Sequence, residues 1–282
     1  MPETTSRMGG VVIFNRIAQG VRKQDWFTAI LELLILVIGI YMGLQVDNWV
    51  SERKDRQTET IYLELLARDV TELQQQVGAQ YAFEKDKVNA AAQAYELLTS
   101  DDPSAHQVEL GELLTSLSGR RTLSLSSATY EQMVSSGHLQ LIRDPKLRDK
   151  LVRHFGVMKR DEAIIGKNNQ DLVDDIYGPF LLQAGISMRF GRLDTEATLN
   201  RGAAIMAERL GPDYEPLPDV VLSRPPEAES WSDIRRNVVF RMRVATVGQA
   251  KCEDIATYMQ EIADDLAAEL EHRKVGMIEA HH

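Results

Sequence analysis

From Trp26 to Val46 the chain reads "WFTAILELLILVIGIYMGLQV", apolar around the whole helical wheel except at Thr28, Glu32 and Gln45. About 21 residues at 1.5 Å rise each cover about 30 Å, the depth of a bilayer's hydrocarbon core. The pattern predicts one transmembrane helix over residues 26–46. A cleaved signal peptide has an apolar region of only about 7 to 15 residues that ends on small side chains. This run ends on "GLQVDNWV", so the anchor is expected to be retained. Trp26 and Trp49 bracket it where the two membrane–water interfaces would lie. They are the expected interface anchors, with Tyr41 as a further aromatic.

Past the span the pattern becomes amphipathic. Over 47–100 a long helix leaving the membrane is predicted. Leu63, Leu66, Val70, Leu73 and Val77 follow a spacing of three and four, which Tyr81, Val88, Ala91, Tyr95 and Leu98 resume after a one-residue slip. That stripe suits either a coiled-coil seam or the buried side of a bundle helix. Pro103 breaks the pattern and "VELGELLTSL" starts a shorter helix. Thr129 with Gln132 forms a capping box, Gly137 ends that helix, and Asp144–Pro145 opens the next after an eight-residue connector. The stretch "IIGKNNQDLVDDIYGPFLLQ" reads as another helix, interrupted at Gly178 and Pro179. A shorter helix closes at Gly211.

Five of the nine prolines fall in 211–230, an extended connection on which Tyr214, Leu217, Val220, Val221 and Leu222 are available to pack. From Trp231 a final long helix places Ile234, Val238, Ala245, Cys252, Ile255, Met259, Ile262, Leu266 and Leu270 on one face. Alternating β-branched runs are scarce. The expected fold is all-α: a leader over 1–25, one N-terminal transmembrane helix, a long helix, a helical bundle over 101–272 and a tail over 273–282.

Charge adds a direction. The leader carries Arg7, Arg16, Arg22 and Lys23 against Glu3 and Asp25, whereas residues 51–282 carry 28 Lys or Arg against 38 Asp or Glu. The basic leader favours a cytoplasmic N-terminus and a body on the non-cytoplasmic side, although Arg53, Lys54 and Arg56 narrow the asymmetry. Val11, Phe14, Ile17, Ala18 and Val21 in the leader suit either an interfacial helix or a partly ordered basic segment. An acidic body is repelled by phosphate backbones, so no nucleic-acid partner is expected. With one cysteine, Cys252, neither an intrachain disulfide nor a thiolate metal cluster is available within one chain. Cys252 is expected to be a buried small hydrophobe.

Glu32 is the polar exception inside the span. At 100° per residue, Glu32, Gly39 and Gly43 fall within about 20° of one another. Glycines at this spacing let two helix backbones approach, and a carboxyl on the same stripe can hydrogen-bond across the contact. The other reading is that Glu32 snorkels towards water from about 9 Å inside Trp26.

The stretches "LELLILVIGIYMGLQVDNWVSERK" and "TYEQMVSSGHLQLIRDPKLRDKL" resemble a family of uncharacterised bacterial single-pass, N-terminally anchored membrane proteins. The resemblance implies a retained anchor and a helical soluble body, and it supplies no catalytic residue.

No HExxH, P-loop, GxGxxG, GxSxG or CxxC is present, and no catalytic residue, cofactor or metal is expected. The adjacent pairs Asp174–Asp175 and Asp264–Asp265 read as solvated faces, because neighbours on a helix point about 100° apart. The expectation is a non-enzymatic, self-associating scaffold or accessory subunit of an envelope complex. It would sit in a bacterial cytoplasmic (inner) membrane, with the bilayer, a second copy and other membrane or envelope proteins as partners. The alternative is a helical ligand-sensing module that signals through a partner. A membrane-tethered hydrolase, the third class, has no motif behind it.

Overall fold

The structure, a computed structural model, describes residues 26–187, 196–211 and 218–279. The leader 1–25, Tyr214, Leu217 and the last three residues lie outside this set. Helix α1 spans Trp26–Leu98, and α2 (Gln107–Ser116) and α3 (Ala128–Ser136) follow. Next come α4 (Pro145–Asn168), α5 (Gly178–Gln183), α6 (Glu196–Leu210) and α7 (Ser230–Glu279). Short 3₁₀ turns lie at Pro103–His106, His138–Leu141 and Val220–Ser223. No strand occurs among the described residues, and the fold is all-α. The chain divides into two compact units, Met1–Glu59 and Thr60–His282, and α1 contributes residues to both.

The second unit is organised by α1 and α7, which run antiparallel. Thr60 meets Arg273, Gln74 meets Gln260, Tyr81 meets Gln249, and the Leu98 carbonyl accepts from Arg235. One register therefore holds along the whole shared length. The slip expected after Val77 does not occur. The three-four alternation continues through Gln80, Glu84 and Lys87 to Ala91, Ala94 and Leu98, all buried. Tyr95, placed on the stripe by the sequence, is exposed. On α7 the inner face runs Trp231, Ile234, Val238, Arg241, Ala245, Gly248, Cys252 and Ile255, so Arg241 and Gly248 fill its two apparent gaps. Cys252 is buried, as expected.

Two apolar cores form on this seam. One gathers Leu63 to Val77 with Ile255 to Leu266 and with Leu147, Leu151 and Phe155 of α4. The other gathers Ala91 to Leu98 with Trp231 to Val238 and with Leu110, Leu114 and Tyr177. Each fully buried leucine or isoleucine contributes about 1.5–3 kcal/mol.

Local chemistry sets the ends. Gly137 closes α3 at φ +76°, a left-handed conformation suited to glycine. Asp144 caps α4 by accepting from the Lys146 N–H at 2.8 Å. The cap of α3 differs from the expected Thr129 box. Ser127 is the N-cap, accepting from Tyr130 N–H, and it donates to Asp69 of α1, which also accepts from Thr129 N–H. Burial alone would raise the Asp69 pKa, but these hydrogen bonds outweigh it and hold the carboxyl below the usual range.

The interruption expected at Gly178–Pro179 is absent. Helix α4 passes through a π-helical stretch, Asn169–Tyr177, straight into α5. Pro179 has no N–H to give the carbonyl four residues before it, and Gly178 N–H reaches Val173 instead, an i to i−5 bond. Widening the turn absorbs the proline without a break. In the connection before α7, Val221 and Leu222 pack as expected, whereas Val220 is exposed.

Candidate functional site

Two features carry charge or apolar surface in places that need a reason. The first is the N-terminal part of α1. Every described side chain from Ile30 to Val50 is exposed. The most apolar 18 residues of this helix have a mean hydropathy of 1.9 with none of them buried, so the helix is long and apolar enough to cross a membrane. A soluble protein rarely exposes so large a contiguous apolar surface. Glu32 is exposed, and a Cβ at Gly39 or Gly43 would meet nothing within 4 Å. Trp49 is exposed at the far end of the run, with the Arg53 guanidinium 5.8 Å over its ring. Trp26 is the first residue of α1, and its side chain lies outside the described set.

The second feature is a layer of buried charge between the two apolar cores, which sequence reasoning did not single out. It is built where helix α2 ends. The last carbonyls of a helix lack intrahelical partners and carry the negative end of its dipole, and here they point into the protein. Leu113 accepts from Leu117 N–H and Ser116 Oγ, and Thr115 accepts from Ser118 N–H and Ser118 Oγ. Leu114 accepts from the Tyr177 hydroxyl at 3.1 Å. Ser116 accepts from Gly119 N–H and from Lys87 Nζ, and the Lys87 ammonium also lies 4.9 Å over the Phe83 ring. Arg241 then donates through Nε to Leu117 at 2.8 Å and through Nη2 to Gly119 at 3.3 Å. Two cations and a phenol thus complete the end of α2.

Glu84 supplies the counter-charge. Its carboxylate accepts from Gln80 Nε2 at 2.8 Å. Burial raises its pKa, while Arg241, Gln80 and Lys87 each favour the ionised form. Burial likewise lowers the Arg241 pKa and raises that of Tyr177. The nearby Cys252 thiol is pushed up to about 12, by burial first and then by the Glu84 and Glu253 charges. That leaves almost no thiolate at neutral pH. Gln80 Oε1 and Arg241 Nη1, both buried, make no hydrogen bond to another of the described residues. Burying these charges costs stability, which the flanking apolar cores offset.

Gly248 makes room for Glu84. A Cβ at Gly248 would stand 2.8 Å from Glu84 Cδ and 3.0 Å from Oε1. Glycine to alanine inside a helix normally gains about 1 kcal/mol. Overpacking costs about 1–3 kcal/mol, and the Glu84 carboxyl is held between Gln80 and the cations. Gly248→Ala is therefore expected to lose up to about 2 kcal/mol. Gly78→Ala, whose Cβ meets nothing within 4 Å, is expected to gain up to about 1 kcal/mol. Urea unfolding of the two variants side by side gives the signs; equal shifts would mean that Glu84 yields freely.

Several other ionisable groups make ordinary pairs. His154 Nε2 meets Glu261 at 2.8 Å, and His138 Nδ1 meets the Tyr62 hydroxyl at 2.7 Å. Asp174 pairs with Arg120 and Asp265 with Lys150, so neither aspartate doublet converges on one point. Among the described residues no group of three His, Cys, Asp or Glu is placed to hold a metal ion. No protein-family model, curated protein or solved structure matches the chain.

Proposed function

We propose that the chain is a membrane-anchored, self-associating helical protein, a non-enzymatic scaffold or accessory subunit of a cell-envelope complex. The observation that carries the reading is the stretch Ile30–Val50, a predominantly apolar helix exposed all round. Such a surface is stable in lipid and costly in water. The basic leader argues for a cytoplasmic N-terminus with the body on the other side. The bacterial cytoplasmic membrane as its location follows the family resemblance in the anchor.

Glu32, Gly39 and Gly43 are the residues through which copies associate. Trp26 and Trp49 set the depth of the span. Two measurements test the anchor and its direction. After alkaline carbonate washing the protein should remain in the membrane pellet, and release of the intact chain would remove the anchor from the proposal. A reporter fused after His282 should be active only outside the cytoplasm, and cytoplasmic activity would reverse the orientation.

A further inference from the structure

The proposal rests on the membrane-anchor reading and concerns what the end of the span touches. At about 100° per residue, Arg53 lies about 40° and Arg56 about 20° from Trp49 on the surface of α1. Glu52 lies about 60° away, while Asp47, Lys54 and Asp55 lie about 120° or more away. The short stretch 47–56 has three basic and three acidic residues, yet the helix sorts them. The Trp49 face holds two guanidinium groups and one carboxylate, and that carboxylate, Glu52, is bonded to Arg56 at 3.2 Å.

Direction matters as much as sorting. Side chains on an α-helix lean towards its N-terminus, which for this helix is towards the apolar run. The Arg53 guanidinium accordingly lies back over the Trp49 ring at 5.8 Å, and Arg56 reaches back one turn to Glu52. With Trp49 at the interface, the Arg53 backbone stands about 6 Å further out and that of Arg56 about 10 Å. A headgroup layer is roughly 5–8 Å deep. Guanidinium groups leaning back from those heights arrive at the level of the phosphates, whose planar pairs of oxygens they match.

We propose that Trp49, Arg53 and Arg56 form an interfacial site for the phosphate of anionic phospholipids, with Trp49 seated among the headgroups and holding Arg53 against them. The experiment uses the full chain reconstituted in mixed vesicles of phosphatidylcholine and phosphatidylglycerol, followed by native mass spectrometry of the lipids it retains. With Glu52 offsetting one of the two cations and about 1 kcal/mol per net charge near an anionic surface, phosphatidylglycerol should be retained over phosphatidylcholine by about five-fold. Arg53→Gln with Arg56→Gln should remove most of that preference. Lys54→Gln, on the opposite face, should leave it intact. The wild-type preference should also shrink as salt is raised.

An equal retention of both lipids by the wild-type chain overturns the proposal, and so does a loss of preference as large in Lys54→Gln as in the double variant. Flotation with vesicles of phosphatidylcholine alone reports on the anchor separately. A chain that floats without lipid preference keeps the anchor and loses the site; a chain that does not float loses both.

Discussion

Arg241→Met should lower the stability of the body by about 3–5 kcal/mol, the range found when one partner of a buried charge network is removed. The substitution takes away two donors at once, leaving the Leu117 and Gly119 carbonyls at the buried end of α2 without the Arg241 bonds. It also removes the charge that most strongly offsets the desolvation of Glu84. A domain is typically stable by only about 5–15 kcal/mol, so the loss is severe. Urea titration of the full chain in detergent, followed by helical circular dichroism, measures it. Combining Arg241→Met with Glu84→Leu should recover part of the loss, because the orphaned carboxylate goes as well, but not the part owed to the two carbonyls. A single-variant cost below about 1 kcal/mol would show that the end of α2 finds other donors and that the layer is dispensable.

The second large effect is on association. If copies associate through the anchor as proposed, Gly39→Ile with Gly43→Ile should abolish that association, since two β-branched side chains would hold the backbones apart where glycine would let them touch. Glu32→Leu should weaken it less, by the roughly 0.6–2 kcal/mol of one interhelical hydrogen bond in lipid. Energy transfer between labelled copies in vesicles gives the dimer fraction. If the double isoleucine variant associates as well as the native anchor, the glycine stripe is a coincidence of composition and Glu32 is better read as snorkelling to the interface.

The apolar skeleton was legible in the sequence because periodicity is a statement about apolar residues. Leu63 to Val77 on α1 and Ile255 to Leu266 on α7 were placed on their buried faces from spacing alone, and both lie in one core. The charged layer escaped for the same reason. At Gln80, Glu84 and Lys87 a search for apolar positions finds none, and shifting by one residue onto Tyr81, Val88 and Tyr95 restores a run that looks apolar. The signal that separates the two registers is the unbroken three-four alternation, which runs through the charges. Arg241 and Gly248 continue the same alternation on α7. What makes those positions tolerable lies far away in sequence: the end of α2, 29 residues from Lys87 and 124 from Arg241. The continuous helix through Pro179 was hidden differently, since a proline signals a break and only the actual turn shows that one wide π-helical stretch absorbs it.

The pairing of α1 with α7 also governs the order in which this protein can be made. The seam of α1 is complete once Leu98 has left the ribosome, but the helix that covers it begins at Ser230. At about 5–20 residues per second, the intervening chain takes roughly 7 to 26 s to synthesise. Through that interval the leucines and valines of α1, and its buried Glu84 and Lys87, wait without their partner helix. The bundle closes last, with the arrival of α7, and until then the nascent chain presents an uncovered apolar stripe to whatever holds unfinished proteins in solution.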